Sequence, residues 1–255
     1  MSKTQSPHIS PPCLTATAFI AHLHNYASVE DRNTLMWFFK TGPGEYGEGD
    51  EFIGVKQGPI TALAKQNLGM SIGELEQLLE SPLHEARMGA VKIMALEAAK
   101  KKTTQERRAA FYELYLRRTD RINNWDLVDV SAPQVVGGYL YDYQKPREQL
   151  YALARSKNLW EKRIGILSTL YFIRQGEYPD TLAIAEILLH DPHDLIHKAV
   201  GWMLREVGKK DKAVLCGFLD AYAWQMPRTM LRYAIERLKP ELRKGYMEKK
   251  TKETR

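Results

Sequence analysis

The sequence predicts an all-α protein built from repeated pairs of helices, and three observations support this prediction. Strand signals are almost absent, because no stretch alternates apolar and polar residues between Asn-Gly or Asp-Gly turns. Helix-start signals recur along the whole chain. Segments of similar sequence return at an interval of about 34–38 residues, which is typical of proteins made of stacked helical repeats.

Capping residues and prolines mark the expected helix starts. The segment Ser71-Ile-Gly-Glu74 has the serine and glutamate spacing of a capping box. Proline is favoured in the first turn of a helix, because its missing N–H would have no partner there. We therefore expect about a dozen helices of roughly 10–16 residues. Several should begin near Pro82, Pro146, Pro179, Pro192, Pro227 and Pro240.

The repeat is clearest in four segments that carry a basic residue at a similar place. These residues are separated by 76, 35 and 34 positions. Because 76 is twice 38, a further repeat is expected between the first two of them, near residues 121–129. Two helices per unit at this period indicate HEAT-like repeats, which stack into a right-handed α-solenoid with a concave groove. The four basic residues are Arg87, Arg163, Lys198 and Arg232.

Composition excludes several classes of protein. The 255 residues are 44% hydrophobic and 27% charged, which excludes bulk disorder, and no run approaches the ~18 apolar residues of a membrane span. Two cysteines and the lack of a signal-peptide pattern lead us to expect a soluble, intracellular protein. The net charge of +6 lies in the last 29 residues. We expect a disordered leader (1–14), one repeat domain (15–240) and a basic tail (241–255).

The predicted groove combines aromatic, acidic and basic side chains. Asp129 follows Trp125 by four residues, so the two share a helix face, and Lys198 and Arg205 flank Trp202 in the same way. Spaced cations suit a phosphate backbone, and a carboxylate among them suits a reaction that develops positive charge on a sugar. A purely structural role for these residues stays open. Tryptophans of helical repeats usually pack in the core, and aspartates can form hydrogen bonds between neighbouring repeats.

Histidines and aspartates between residues 190 and 197 have the composition of a metal site. They surround an expected helix start at Pro192, where such residues commonly cap the helix or face solvent. We therefore expect neither a metal ion nor another cofactor.

Four segments resemble the AlkD-type DNA alkylation repair glycosylases, a HEAT-like repeat family. The resemblance extends from about residue 19 to residue 238, and its motifs appear in order with regular spacing. It implies an enzyme that hydrolyses the N-glycosidic bond of cationic N3- and N7-alkylpurines, such as 3-methyladenine and 7-methylguanine, in duplex DNA without flipping the base. The four segments are residues 38–55, 124–129, 160–167 and 197–206.

The resemblance also implies roles for single residues. Asp129 matches the family's catalytic aspartate, Trp125 and Trp202 match its two groove tryptophans, and Arg163 matches an arginine that contacts the DNA backbone. Because a cationic purine leaves as a neutral base, Asp129 would stabilise the sugar cation and position water, while the tryptophan faces favour the developing charge. Further DNA-binding candidates are Lys198, Arg205, Lys162 and Lys56.

We expect alkylated double-stranded DNA as the partner, with no membrane and no obligate protein partner. No lysine is obviously placed for Schiff-base chemistry, which favours a monofunctional glycosylase. We also expect a monomer located in the cytoplasm, at a bacterial nucleoid. Thr61 stands where family members often have arginine, so one phosphate contact would be weakened or taken over by Lys56 or Lys65. Two alternatives stay open: a non-catalytic HEAT-repeat module that binds DNA or protein, and a paralogue specialised for bulky alkyl adducts.

Overall fold

The computed structural model describes residues 14–248, and it divides after Glu97 into two compact units. Apart from Leu14, the predicted leader lies outside the described residues, as do residues 249–255 of the predicted tail. The first unit contains α1 (Ala16–His24), α2 (Val29–Phe38), α3 (Gln57–Gln66), α4 (Ile72–Glu80) and nearly all of α5 (His84–Ala98).

The second unit is also helical. It contains α6 (Gln105–Arg117), α7 (Trp125–Ala132), a π-helical turn (Pro133–Gly137), α8 (Gly138–Asp142), α9 (Glu148–Ala154), α10 (Leu159–Arg174), α11 (Pro179–Ile187), α12 (Asp194–Lys210), α13 (Lys212–Tyr222), α14 (Arg228–Ile235) and α15 (Pro240–Glu248).

The prediction of an all-α fold is confirmed. Between residues 14 and 248 there is no β-strand, only an isolated bridge between Glu51 and Leu83. None of the helices in this range combines the length and apolar character needed to cross a bilayer. The handedness of the predicted solenoid, its concave groove and the single domain over residues 15–240 stay predictions.

The helix starts predicted from capping residues and prolines are confirmed as well. Helices α11 and α15 begin at Pro179 and Pro240, and α5, α9, α12 and α14 begin within two residues after the other four prolines. The Ser71 hydroxyl caps α4 by accepting a hydrogen bond from the N–H of Glu74 at 3.3 Å. The Glu74 carboxylate accepts from the N–H of Ala16 at 2.6 Å, so it ties the start of α1 to α4.

A buried carboxylate organises the segment that leads into α3. Glu85 on α5 accepts hydrogen bonds from the backbone N–H groups of Ile53, Gly54 and Val55 at 3.1, 2.9 and 3.1 Å. A buried N–H without a partner costs about 1–3 kcal/mol. Because Glu85 satisfies three of them, this irregular segment can lie against α5 without a strand to pair with.

Four helices of the second unit carry a charged residue at the same helical position. Asp129, Arg163, Lys198 and Arg232 are each the fifth residue of their helices, α7, α10, α12 and α14. They are separated by 34, 35 and 34 residues, so Asp129 occupies the repeat that the sequence placed near residues 121–129. Helix α10 packs against α7 and α12, and α12 packs against α14. We call these four helices the helix row.

The helix row depends on close backbone approach at Gly201 of α12. A Cβ atom built on this residue would lie 2.5 Å from the carbonyl oxygen of Met230 and 2.5 Å from the Cβ of Tyr233, both on α14. These distances are far below van der Waals contact, so any side chain at position 201 would force the two helices apart.

We therefore expect Gly201→Ala to lower the free energy of unfolding by about 1–2 kcal/mol, because overpacking outweighs the roughly 1 kcal/mol gain in helix propensity. The matched control is Gly217→Ala on α13, where an added Cβ meets nothing within 4 Å. This control should be neutral or stabilising by up to about 1 kcal/mol. Urea unfolding followed by circular dichroism measures both, and equal effects of the two substitutions would contradict the packing argument.

Candidate active site

Helix α7 positions the candidate carboxylate. Its start is set by Asn124, whose side-chain oxygen accepts a hydrogen bond from the N–H of Trp125 at 2.8 Å. Its end runs into the π-helical turn that begins at Pro133, a form of backbone that is frequent near functional sites. At Gly137 in this turn, an added Cβ would lie 2.1 Å from the carbonyl oxygen of Ser168 on α10. The missing side chain therefore lets α7 and its continuation lie tightly against α10.

Close packing of α7 on α10 brings Asp129 and Arg163 together. Arg163 donates from Nε to Oδ1 and from Nη2 to Oδ2 of Asp129, each at 2.7 Å, which is a bidentate arginine–carboxylate pair. Its remaining terminal nitrogen, Nη1, donates to the carbonyl oxygen of Leu195 on α12 at 2.6 Å. The guanidinium thus joins three helices through one planar group.

The pair is exposed on one side only. The Arg163 side chain is 5% exposed, whereas that of Asp129 is 19% exposed, so the aspartate is the partly exposed member of the pair. Burial raises the pKa of Asp129 above its ordinary value, and the charge and hydrogen bonds of Arg163 oppose that rise. The nearby carboxylate of Asp126 adds to it. Asp129 is therefore an accessible carboxylate whose ionised state depends on Arg163.

The two candidate tryptophans lie on the two helices that pack against α10. Trp125 opens α7 one turn before Asp129, and Trp202 lies on α12; both side chains are half-buried. The indole Nε1 of Trp202 donates to Oε1 of Glu206 at 3.1 Å, and Glu206 also accepts from Lys209 at 2.6 Å. This contact fixes the orientation of the Trp202 ring.

Each predicted DNA-binding cation of the second unit already has an acidic partner. Lys162 lies 2.5 Å from Asp191, Lys198 lies 2.7 Å from Asp194, and Arg205 pairs with Glu236, the residue that follows α14. A phosphate would therefore have to share or replace a carboxylate at these positions. Lys198 is the most exposed of the four cations on this unit, and Arg163 is the least.

Lys56 belongs to the first unit. Its side chain is 71% exposed and pairs with Asp31 at 3.2 Å. In the same unit, the Thr61 hydroxyl accepts a hydrogen bond from Nζ of Lys92 at 2.5 Å. An ammonium group therefore stands beside the threonine that occupies the expected arginine position, and it comes from a residue that the sequence analysis did not select.

The histidines near Pro192 serve the backbone. His193 caps α12, with its ring Nδ1 accepting from the N–H of Leu195 at 3.1 Å, and the ring Nε2 of His197 lies 2.5 Å from the carbonyl oxygen of Asp191. In the part of the chain that the structure describes, no group of three or more His, Cys, Asp or Glu side chains is arranged to hold a metal ion.

Sequence reasoning selected both Asp129 and Arg163, which the structure brings into contact, but it did not predict their pairing and it missed several contacts of the other selected residues. It assigned no role to Glu206, although this residue follows Trp202 by four positions and could have been found from that spacing. It also missed the Leu195 carbonyl, for which a sequence carries no signal. The roles of the selected residues in catalysis and DNA binding stay predictions.

Comparisons with known proteins agree with the fold. The family model described as DNA alkylation repair enzyme matches residues 19–238. A solved structure described as a "predicted DNA alkylation repair enzyme" from Enterococcus faecalis has a TM-score of 0.63. It is 17% identical in sequence, and the match covers 84% of this chain and 97% of that one. No curated protein matches the sequence.

The family match spans most of the chain and includes α7, α10 and α12, the three helices that meet at Arg163. The chain therefore belongs to the DNA alkylation repair enzyme family.

Proposed function

We propose that this member of the family is a monofunctional DNA glycosylase that hydrolyses the N-glycosidic bond of cationic N3- and N7-alkylpurines in duplex DNA. One observation carries the proposal: a partly exposed carboxylate, Asp129, is fixed by a buried bidentate arginine. Such a carboxylate is preorganised to stabilise positive charge as it develops on the sugar.

The chemistry follows from the charge of the lesion. A purine alkylated at N3 or N7 is already cationic and departs as a neutral base, so the site does not have to supply a proton to the leaving group. As the bond to C1′ breaks, the deoxyribose gains oxocarbenium character. Asp129 stabilises this cation and orients the attacking water, and the faces of Trp125 and Trp202 add a favourable electrostatic contribution.

The helices around Asp129 support duplex DNA as the partner. The first turns of α7, α10, α12 and α14 carry the positive ends of the helix dipoles, which favour phosphate groups. Half-exposed Lys198 adds a cation in the same row. A site that recognises the lesion by charge and shape does not need an enclosed pocket for a flipped base, which favours excision of a base that stays stacked in the duplex. In this proposal the enzyme acts as a monomer on chromosomal DNA.

A second candidate function is a non-catalytic module that binds DNA or protein through the same surface. The observation in its favour is that Arg163, Lys162 and Arg205 are all paired with carboxylates, as in a purely structural network. A third candidate is a paralogue that removes bulky alkyl adducts, which an open site would accommodate.

Release of bases from DNA separates these candidates. The protein is incubated with duplex DNA that carries 3-methyladenine, 7-methylguanine or a bulky N3-alkyladenine, and free bases are measured by chromatography. We expect release of both methylated bases without strand nicking. Salt-dependent binding without any release would support the non-catalytic module, and release of the bulky adduct alone would support the specialised paralogue.

Asp129→Asn should lower the single-turnover excision rate by about two to three orders of magnitude, because it removes the negative charge that stabilises the sugar cation. Binding to the same duplex should persist. The matched control is Asp126→Asn, which removes a neighbouring carboxylate on α7 and should retain most of the excision rate. Equal rates for Asp129→Asn and the wild type would contradict the assigned role.

The pH dependence of excision should report the pKa of Asp129. Asp129 acts when ionised, so activity falls as pH decreases through its pKa, and because burial raises this pKa the acidic limb should lie above that of an ordinary aspartate, about 3.9. Arg163 opposes the rise, so Arg163→Gln should move the acidic limb to higher pH, whereas Arg163→Lys, which keeps the charge, should move it less.

Single-turnover rates measured from about pH 5 to 8, corrected for uncatalysed depurination, test this prediction. Unfolding curves of each variant ensure that a lower rate does not reflect loss of the fold, because breaking a buried ion pair costs about 3–5 kcal/mol. An acidic limb that stays in place in Arg163→Gln would show that the limb belongs to another group.

A further inference from the structure

A basic cleft lies between α14 and α15, at the end of the helix row opposite to Asp129. Its cavity volume is about 450 Å³. Three cations stand over an apolar floor, and no acidic residue is among the lining side chains in the described part of the chain. The lining residues are Arg232, Ile235, Pro240, Arg243, Lys244 and Met247.

The cations of the cleft have few or no carboxylate partners among the described residues, unlike Lys162, Lys198 and Arg205. Within residues 14–248, no carboxylate lies within 4.0 Å of Arg232 or Arg243, and Lys244 has only Glu248, at 3.9 Å with both side chains largely exposed. An ion pair of this exposed kind is screened by solvent and contributes little. The cleft therefore offers three positive charges to an anion, and among the described residues only the weak, exposed contact of Lys244 with Glu248 competes with it.

The two walls of the cleft are held in place by contacts outside it. Tyr246 of α15 is buried, and its hydroxyl donates to Oδ1 of Asp220 on α13 at 3.1 Å. Arg228 at the start of α14 donates from Nη1 to the carbonyl oxygen of Met247 at 2.8 Å. Helix α15 is thus fixed against both α13 and α14, so the cations of the cleft lie on helices that are held in place relative to each other.

The helix row places the cleft in register with the candidate active site. Arg232 is the fifth residue of its helix, as Asp129, Arg163 and Lys198 are of theirs. The starts of these helices are in contact, because Arg163 bonds to the Leu195 carbonyl of α12 and the Asp194 carboxylate of α12 interacts with the side chain of Thr229 on α14. Three helix-to-helix steps of about 8–10 Å give a path of about 24–30 Å along the row from the position of Asp129 to that of Arg232.

We propose that this cleft binds backbone phosphates of the DNA duplex about 7–9 base pairs from the alkylated base, at the rise of about 3.4 Å per base pair. The proposal rests on the proposed function, because it takes Asp129 as the position of the lesion. Backbone phosphates suit the cleft better than a single free anion, since three cations on two helices match a run of regularly spaced charges.

The length of the duplex supplies the test. A lesion-centred duplex of about 12 base pairs reaches about 20 Å to each side of Asp129, short of the cleft, whereas one of about 28 base pairs reaches about 48 Å. The test variant combines Arg232→Ala, Arg243→Ala and Lys244→Ala. The charge-matched control combines Lys101→Ala, Lys102→Ala and Lys210→Ala, three exposed lysines of the same unit that are not part of the cleft.

We expect the test variant to raise the half-saturating protein concentration for excision about 10-fold or more on the long duplex and to leave it unchanged on the short one. The maximal single-turnover rate should be unchanged on both. The slope of log affinity against log salt on the long duplex should fall by about 2–3, since each lost phosphate contact removes about 0.9. The control variant should show no dependence on duplex length.

Binding of the undamaged long duplex, measured by fluorescence anisotropy, keeps this test separate from catalysis. If the wild type binds this duplex but excises nothing, the proposed function fails, and the salt slopes of the two variants still decide the role of the cleft. Wild-type affinity and salt slope in the test variant would overturn the proposal. An equal loss on both duplex lengths, or an equal loss in the control variant, would also overturn it.

Discussion

The bidentate pair between Asp129 and Arg163 is the interaction on which the rest of the candidate site depends. It joins equivalent positions of α7 and α10, and the third arm of the guanidinium reaches the Leu195 carbonyl of α12. A buried arginine is tolerable only when its donors are satisfied, so the packing of three helices and the ionised state of Asp129 stabilise each other. Because Arg163 is more deeply buried than Asp129, the carboxylate is the more accessible side of the pair.

The rest of the site follows from the same repeat geometry. Helices that recur every 34 or 35 residues place one charged side chain after another along the row, from Asp129 to Arg232. Near the middle of the row the cations are paired with carboxylates, whereas among residues 14–248 the cations of the cleft have no carboxylate within 4.0 Å apart from the exposed contact of Lys244 with Glu248. A polyanionic ligand therefore meets available positive charge at one end and a fixed carboxylate at the other, which is a suitable division between holding DNA and stabilising a sugar cation.

The fold and much of the site could be predicted from the sequence for identifiable reasons. Proline and capping residues act locally, so the starts of α4, α11 and α15 were predictable. The period of the repeat is likewise written in the order of residues, and this period alone is enough to select Arg163. Contacts to backbone atoms, such as that of Arg163 with the Leu195 carbonyl, could not be predicted, because every residue carries the same carbonyl.

The sequence by itself determined that this chain is helical, that its helices repeat and that aspartate, arginine and tryptophan recur at helical spacing. Only the tertiary structure decided which of the cations are neutralised and which side of the Asp129–Arg163 pair faces solvent. The physical reason is that periodicity fixes the face of a helix on which a side chain lies. Its partner and its burial depend on how closely a second helix approaches, which residues as small as Gly137 and Gly201 permit.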